Sequence, residues 1–74
     1  MIEVYGKDDC YWCGRAKAFL EDKKLPFEYF RIGEHLNRDE FLEKFPGAKT
    51  VPQIIVDGKS IGGYDNLVNL LASD

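Results

Sequence analysis

The chain has 74 residues, of which 45% are apolar and 31% charged. That is the balance of one small globular domain over 1–74, not of a disordered or membrane-spanning chain. No apolar run approaches the ~20 residues that cross a bilayer. Ten Lys and Arg against thirteen Asp and Glu leave a net charge of −3, which disfavours nucleic acid because phosphate binding needs a basic surface.

Ile2 and Val4 alternate with Glu3 and Tyr5, which predicts a strand over about 1–5. It starts directly after Met1, so no secretory leader is expected and the chain reads as cytoplasmic. Residues 11–24 read as a helix. Ala16, Phe19, Leu20 and Lys23 fall at helical spacing, with Arg15, Lys17, Glu21 and Asp22 on the other face. Leu25-Pro26 ends it, because the residue before proline disfavours helix. Phe27, Tyr29 and Ile32 predict a second strand over about 27–32. Asn37 lies three before Glu40, the spacing of a capping box. Phe41, Leu42 and Phe45 then give the inner stripe of a second helix, stopped by Pro46-Gly47. Residues 53–57, with Ile54, Ile55 and Val56, read as a strand. Asp57-Gly58 is a hairpin turn, and 59–62 is the return strand. Tyr64, Leu67, Val68 and Leu71 mark one face of a last helix.

The order β-α-β-α-β-β-α predicts an α/β domain, a mixed four-stranded sheet flanked by three helices. Its first unit should be parallel with a right-handed crossover, and its last hairpin antiparallel. Phe19, Phe27, Phe41 and Phe45 are expected in the core, and Tyr5 in the core or at a site rim. His35 and Lys23-Lys24 are expected at the surface.

The two cysteines, Cys10 and Cys13, are three apart. Three readings compete. A structural staple is a poor one, since so short a ring constrains the unfolded chain little. Zinc needs four ligands and the pair supplies two, with His35 the only histidine. Redox exchange fits best, because the pair lies in the junction between the first strand and first helix of a β-α-β pattern. There Cys10 falls at the helix N-cap, where unpaired N–H groups and the helix dipole favour a thiolate. Cys10 is therefore expected to have a lowered pKa and to attack. Lys7 and Arg15 would add positive charge, and Asp8 and Asp9 would oppose it. Cys13, a turn into the helix, is expected to be more buried and to act as the resolving thiol.

Val4-Tyr5-Gly6-Lys7, Cys10-Tyr11-Trp12-Cys13, Arg15-Ala16-Lys17 and Leu20 together resemble the first βα unit of a glutaredoxin. Thr50-Val51-Pro52 resembles that family's T-V-P motif and Gly62-Gly63-Tyr64-Asp65 its G-G-[YF]-D motif, in family order and spacing over essentially the whole chain. The compact dithiol glutaredoxins of bacteria and phages are the most similar. The resemblance implies a thioredoxin-like fold and a glutathione-disulfide and protein-disulfide oxidoreductase. It implies glutathione as co-substrate, no tightly bound cofactor, a monomer, and disulfide proteins such as ribonucleotide reductase as partners. It also implies the ligand contacts. Lys7 and Gln53 would face the glycyl carboxylate of glutathione, and Trp12 would flank the tripeptide. Thr50 and Val51 would offer strand-like backbone contacts, with Pro52 cis. Gly63, Asp65 and Asn66, at the start of the last helix, would receive the γ-glutamyl group. Arg31, Arg38 and Lys49 could extend a basic patch. Two positions depart from the family pattern. Tyr11-Trp12 stands where C-P-Y-C is common, and Asn66 replaces a second aspartate. The rival readings are a thioredoxin-like reductant served by a flavoprotein reductase, and a non-enzymatic metal or iron–sulfur carrier.

Overall fold

The expected order of elements is the one observed in the computed structural model, which describes residues 1–72. It runs β1 (Ile2–Gly6), α1 (Tyr11–Asp22), β2 (Phe27–Arg31), α2 (Arg38–Lys44), β3 (Gln53–Val56), β4 (Lys59–Gly62) and α3 (Tyr64–Ala72). The strand order in the sheet is β2-β1-β3-β4. β1 pairs parallel with β2, Val4 opposite Tyr29, and antiparallel with β3, Val4 opposite Ile54. β3 and β4 form the antiparallel hairpin, with a bulge between Ile54 and Ile55. This is the mixed four-stranded sheet of a thioredoxin-like fold.

The two-residue period of a strand sends its side chains alternately to opposite faces. Here it divides the core in two. Ile2, Val4 and Ile54 pack under Ala16 and Leu20 of α1 and Leu67 of α3, with Phe19, Phe27 and Tyr29 at the margin. Tyr5 goes to the other face and packs with Phe41 of α2 and Phe45 at its C-cap, beside Phe30 and Ile55. Tyr5 is thus a core residue, its ring stacked 4.8 Å from Phe30. Leu20, Ile54, Leu67 and Val4 are the largest fully buried aliphatic side chains. Burying each contributes about 1.5–3 kcal/mol, so the α1/α3 face supplies most of the apolar stabilisation.

Element ends follow local chemistry. Asn37 Oδ1 accepts from the Glu40 N–H at 2.8 Å, and Glu40 Oε1 accepts from the Asn37 N–H at 2.9 Å, which completes the capping box. Asp57 and Gly58 both have positive φ (51° and 80°), so Asp57 belongs to the turn and not to the strand. α1 ends two residues before the expected 24. Lys24 takes φ 58°, its N–H donates to Glu21 O at 3.0 Å, and the Leu25 N–H donates to Leu20 O at 3.0 Å. These two bonds are a Schellman motif. Pro26 requires an extended Leu25, so the helix closes before it.

Candidate active site

The parallel β1–α1 unit delivers Cys10 to the helix N-cap, at φ −118° and ψ 116°. Its sulfur accepts the Cys13 backbone N–H at 3.2 Å. This is the bond that serine or asparagine makes at other caps, with a sulfur in place of oxygen. The Cys10 thiol also lies 3.7 Å from the Val51 carbonyl, which accepts from it. Cys10 is half-buried and Cys13 fully buried, and both are free thiols. The unequal placement expected of the two sulfurs is therefore present.

Cys13 points back towards the end of β1. A Cβ built on Gly6 would fall 2.5 Å from Cys13 Sγ and 2.7 Å from the Tyr29 hydroxyl. Only a residue without a side chain leaves room for both groups. Burial, then the neighbouring Cys10, pushes the Cys13 thiol up to about 11, while hydrogen bonds from the Lys7 backbone and Tyr29 pull the other way. Asp8, whose charge would oppose a Cys10 thiolate, is paired with Arg31. Arg15 Nη2 donates to the Tyr64 hydroxyl at 3.4 Å.

The segment containing Thr50, Val51 and Pro52 separates two hollows. The Val51-Pro52 bond is cis, as the resemblance implied. One hollow, of about 310 Å³, is lined by Trp12, Thr50, Val51, Pro52, Gly63, Tyr64, Asp65 and Asn66. Seven of the eleven expected site residues meet there. The other, of about 500 Å³, is lined by Lys7, Arg38 and Lys49 over an apolar floor that includes Ile32, Phe41 and Leu42. Lys7 thus stands beyond Thr50-Val51, on the far side from Asp65. Arg38 and Lys49 join it, whereas Arg31 is committed to Asp8 and Glu34.

Gln53 lines neither hollow. Its Nε2 donates to the Thr50 carbonyl at 2.9 Å, so it braces the segment before it. The Asn66 amide folds over Gly62, where a Cβ would overlap it. Gly62 has φ 102°, a conformation that glycine adopts readily.

Tyr64 is the site residue that sequence reasoning assigned only to a helix face. Its ring lies 5.4 Å from Trp12 and 6.3 Å from Phe19, under the Arg15 guanidinium at 5.8 Å. Its place inside the G-G-Y-D segment was the available signal. Tyr11 is 68% exposed and its ring meets Trp12 edge-on at 5.0 Å. Among the described residues no three of His, Cys, Asp and Glu gather as a metal-ligand set. No described helix is long and apolar enough to cross a membrane.

Comparison with known proteins adds to this geometry. The glutaredoxin family model matches residues 2–61. Glutaredoxin 3 of Escherichia coli (strain K12) is 41% identical over 69 residues, spanning 93% of this chain and 83% of that protein. The solved structure of reduced Escherichia coli glutaredoxin is 28% identical, with a TM-score of 0.80, covering 99% of this chain and 94% of that one. NrdH-redoxin from Escherichia coli, described as a glutaredoxin-like protein with a thioredoxin-like activity profile, is 25% identical with a TM-score of 0.74, covering 95% and 92%.

Proposed function

The chain belongs to the glutaredoxin family and is a thiol–disulfide oxidoreductase, and from that premise we propose that it reduces protein disulfides and glutathione mixed disulfides through a Cys10/Cys13 dithiol, with glutathione as the electron donor. The observation that carries this reading is the Cys10 sulfur, capped by the Cys13 N–H and beside the carbonyl of Val51, a residue that lines both hollows.

The cycle follows from the unequal sulfurs. Cys10 thiolate attacks one sulfur of a substrate disulfide. A mixed disulfide forms and the other substrate sulfur leaves as thiolate. Cys13 then attacks Cys10 Sγ, the Cys10–Cys13 bond forms, and the substrate departs reduced. Two glutathione thiols return the pair to the dithiol and become glutathione disulfide. In this reading glutathione lies across Thr50-Val51. Its γ-glutamyl end meets Gly63, Asp65, Asn66 and the start of α3. The helix N-terminus favours the α-carboxylate, and the Asp65 carboxylate holds the α-amino group. Its glycyl carboxylate points to Lys7, with Gln53 holding the Thr50 carbonyl in place. Trp12 and cis Pro52 complete the walls. No tightly bound cofactor is part of the reading. The protein acts as a cytoplasmic monomer, and ribonucleotide reductase is a fitting protein substrate.

The test is turnover of a glutathione mixed disulfide coupled to glutathione, NADPH and glutathione reductase. Turnover no faster than the uncatalysed reaction would defeat the reading. Cys10→Ser should abolish activity, and Cys13→Ser should keep mixed-disulfide turnover because glutathione replaces the resolving thiol. The likeness to NrdH-redoxin favours one second reading, a thioredoxin-like reductant served by a flavoprotein reductase. Reduction by that enzyme with no response to glutathione would select it.

A further inference from the structure

Behind Cys13 lies a group of residues that the exchange cycle above does not use. Tyr29 reaches from the centre of β2, and its hydroxyl donates to the Lys7 carbonyl at 3.1 Å. The same hydroxyl and the Cys13 sulfur both crowd the empty Cβ position of Gly6, at 2.7 and 2.5 Å. Hydroxyl and sulfur thus face each other across the space that Gly6 leaves, with the Lys7 backbone beside them, and both Tyr29 and the Lys7 backbone act to lower the Cys13 pKa. Three elements therefore converge on one sulfur: β1 through Gly6, the following loop through Lys7, and β2 through Tyr29.

We infer that the Tyr29 hydroxyl and the Lys7 N–H form a built niche for the Cys13 thiolate, so that Tyr29 takes part in resolving the mixed disulfide. The inference rests on the dithiol reading above. In that step Cys13 must lose its proton to solvent before its sulfur attacks Cys10 Sγ. The Cys10–Cys13 bond forms, the bond from Cys10 to the substrate sulfur breaks, and the released thiolate takes a proton from solvent. Tyr29 keeps its proton throughout. Burial, then Cys13, hold its phenol well above the usual range, so it remains a donor wherever the enzyme works. Its hydroxyl turns from the Lys7 carbonyl to the sulfur when charge develops there. The same contact serves the reverse step, in which glutathione attacks Cys10 and Cys13 leaves as thiolate.

The charged and titrating groups around this niche are few. Lys17 of α1 lies 4.5 Å above the Tyr29 ring, and its charge favours negative charge beneath it. Cys10 and Asp8 oppose that charge, and Asp8 is held by Arg31.

Tyr29→Phe removes the donor and keeps the ring. The measurement starts from protein carrying glutathione on Cys10 and follows glutathione release, as the Cys10–Cys13 disulfide forms, against pH. Losing one donor to a thiolate lowers the thiolate fraction by about tenfold at neutral pH. The more basic sulfur is about threefold more nucleophilic, since the Brønsted slope is about 0.4–0.5. The variant should therefore release glutathione about threefold more slowly at pH 7. Its curve should also go on rising to a pH about one unit higher, so that the gap closes at the alkaline end when each point is taken in a pH jump too brief for unfolding. A variant merely loosened by the change would be slower by the same factor at every pH. Superposed or parallel curves overturn the inference and leave the dithiol reading standing. A wild-type protein that releases no glutathione, matching Cys13→Ser, overturns the dithiol reading and the inference with it.

Discussion

Gly6→Ala adds a single methyl group, and the structure gives its cost. The new Cβ would lie 2.5 Å from Cys13 Sγ, 2.7 Å from the Tyr29 hydroxyl and 3.1 Å from Cys13 Cβ. Unstrained heavy-atom contacts of this kind lie at about 3.5–4.0 Å, so the sulfur and the hydroxyl must each retreat by about 1 Å. Both belong to packed elements. Overfilling such a site costs about 1–3 kcal/mol. Alanine in a strand regains about 0.5–1 kcal/mol over glycine by restricting the unfolded chain. The net loss is about 1–2 kcal/mol, a large share for a domain of this size. In urea, with a slope near 1 kcal/mol per molar for a small protein, the midpoint should fall by about 1–2 M. Gly14 is the internal control. It lies in α1, and a Cβ there would meet nothing within 4 Å. Gly14→Ala should raise stability by about 0.8–1 kcal/mol through helix propensity alone. The same substitution eight residues away thus changes sign. A Gly6→Ala midpoint at or above that of the wild type would refute the argument that this glycine is kept for the sulfur.

Reduced protein should lose stability on the alkaline side. The folded Cys13 thiol is pushed up to about 11 from an ordinary 9. A raised folded value favours folding fully below the unfolded pKa and is lost as pH rises through the folded one. Urea melts in strong reductant should therefore weaken between pH 9 and 11, with Cys13 contributing on the order of 2 kcal/mol, and Cys13→Ala should make that slope shallower and leave the part above pH 10 that comes from the raised Tyr5 and Tyr29 phenols. Lys24 occupies a left-handed conformation at φ 58°, which costs a side-chain-bearing residue about 1–2 kcal/mol. Lys24→Gly should gain about 0.5–1 kcal/mol after the added freedom of the unfolded chain is deducted, and a drop in melting temperature would contradict this. Tyr11 is the first residue of α1, a position whose N–H has no partner within the helix. Tyr11→Pro should be tolerated there and should stabilise by about 0.5 kcal/mol. Circular dichroism melts would expose a failure as a lost helix signal.

Much of this architecture was legible along the chain because its signals are local. Alternation at Ile2 and Val4, the Asn37/Glu40 spacing and the Asp57-Gly58 turn each act within a few residues, and each appears where the pattern put it. The end of α1 carries no such signal, because a lysine stands at the left-handed position where glycine is usual. At the site, motif order gave seven residues of one hollow. Gln53 and Arg15 were beyond it. Each also bonds a neighbour that no motif announces, Gln53 the Thr50 carbonyl and Arg15 the Tyr64 hydroxyl. The niche around Gly6 was beyond it for a related reason. Periodicity assigns a residue to a face of its own element. It cannot say that Gly6, Cys13 and Tyr29, from three elements, meet at one point.

The two sulfurs owe their difference to backbone geometry, which separates the exchange chemistry from the residues that meet the substrate. Cys10 is held by the N–H of Cys13, a group that no change at positions 11 or 12 removes. Cys13 is held by the space at Gly6 and by groups from the loop and β2, none of which belongs to the dipeptide. Tyr11 and Trp12 therefore act on what approaches. Trp12 is half exposed, lines the smaller hollow and leans on Tyr64, while Tyr11 stands outside it with most of its ring in solvent. An exposed aromatic pair carries a large contact area with little side-chain entropy to lose, which suits it to a protein surface. Exchanging Tyr11 should thus change which disulfides are reduced well and leave the Cys10 cap intact. A Tyr11→Ala variant that lost turnover equally on glutathione mixed disulfides and on protein disulfides would show that the dipeptide reaches the sulfur after all.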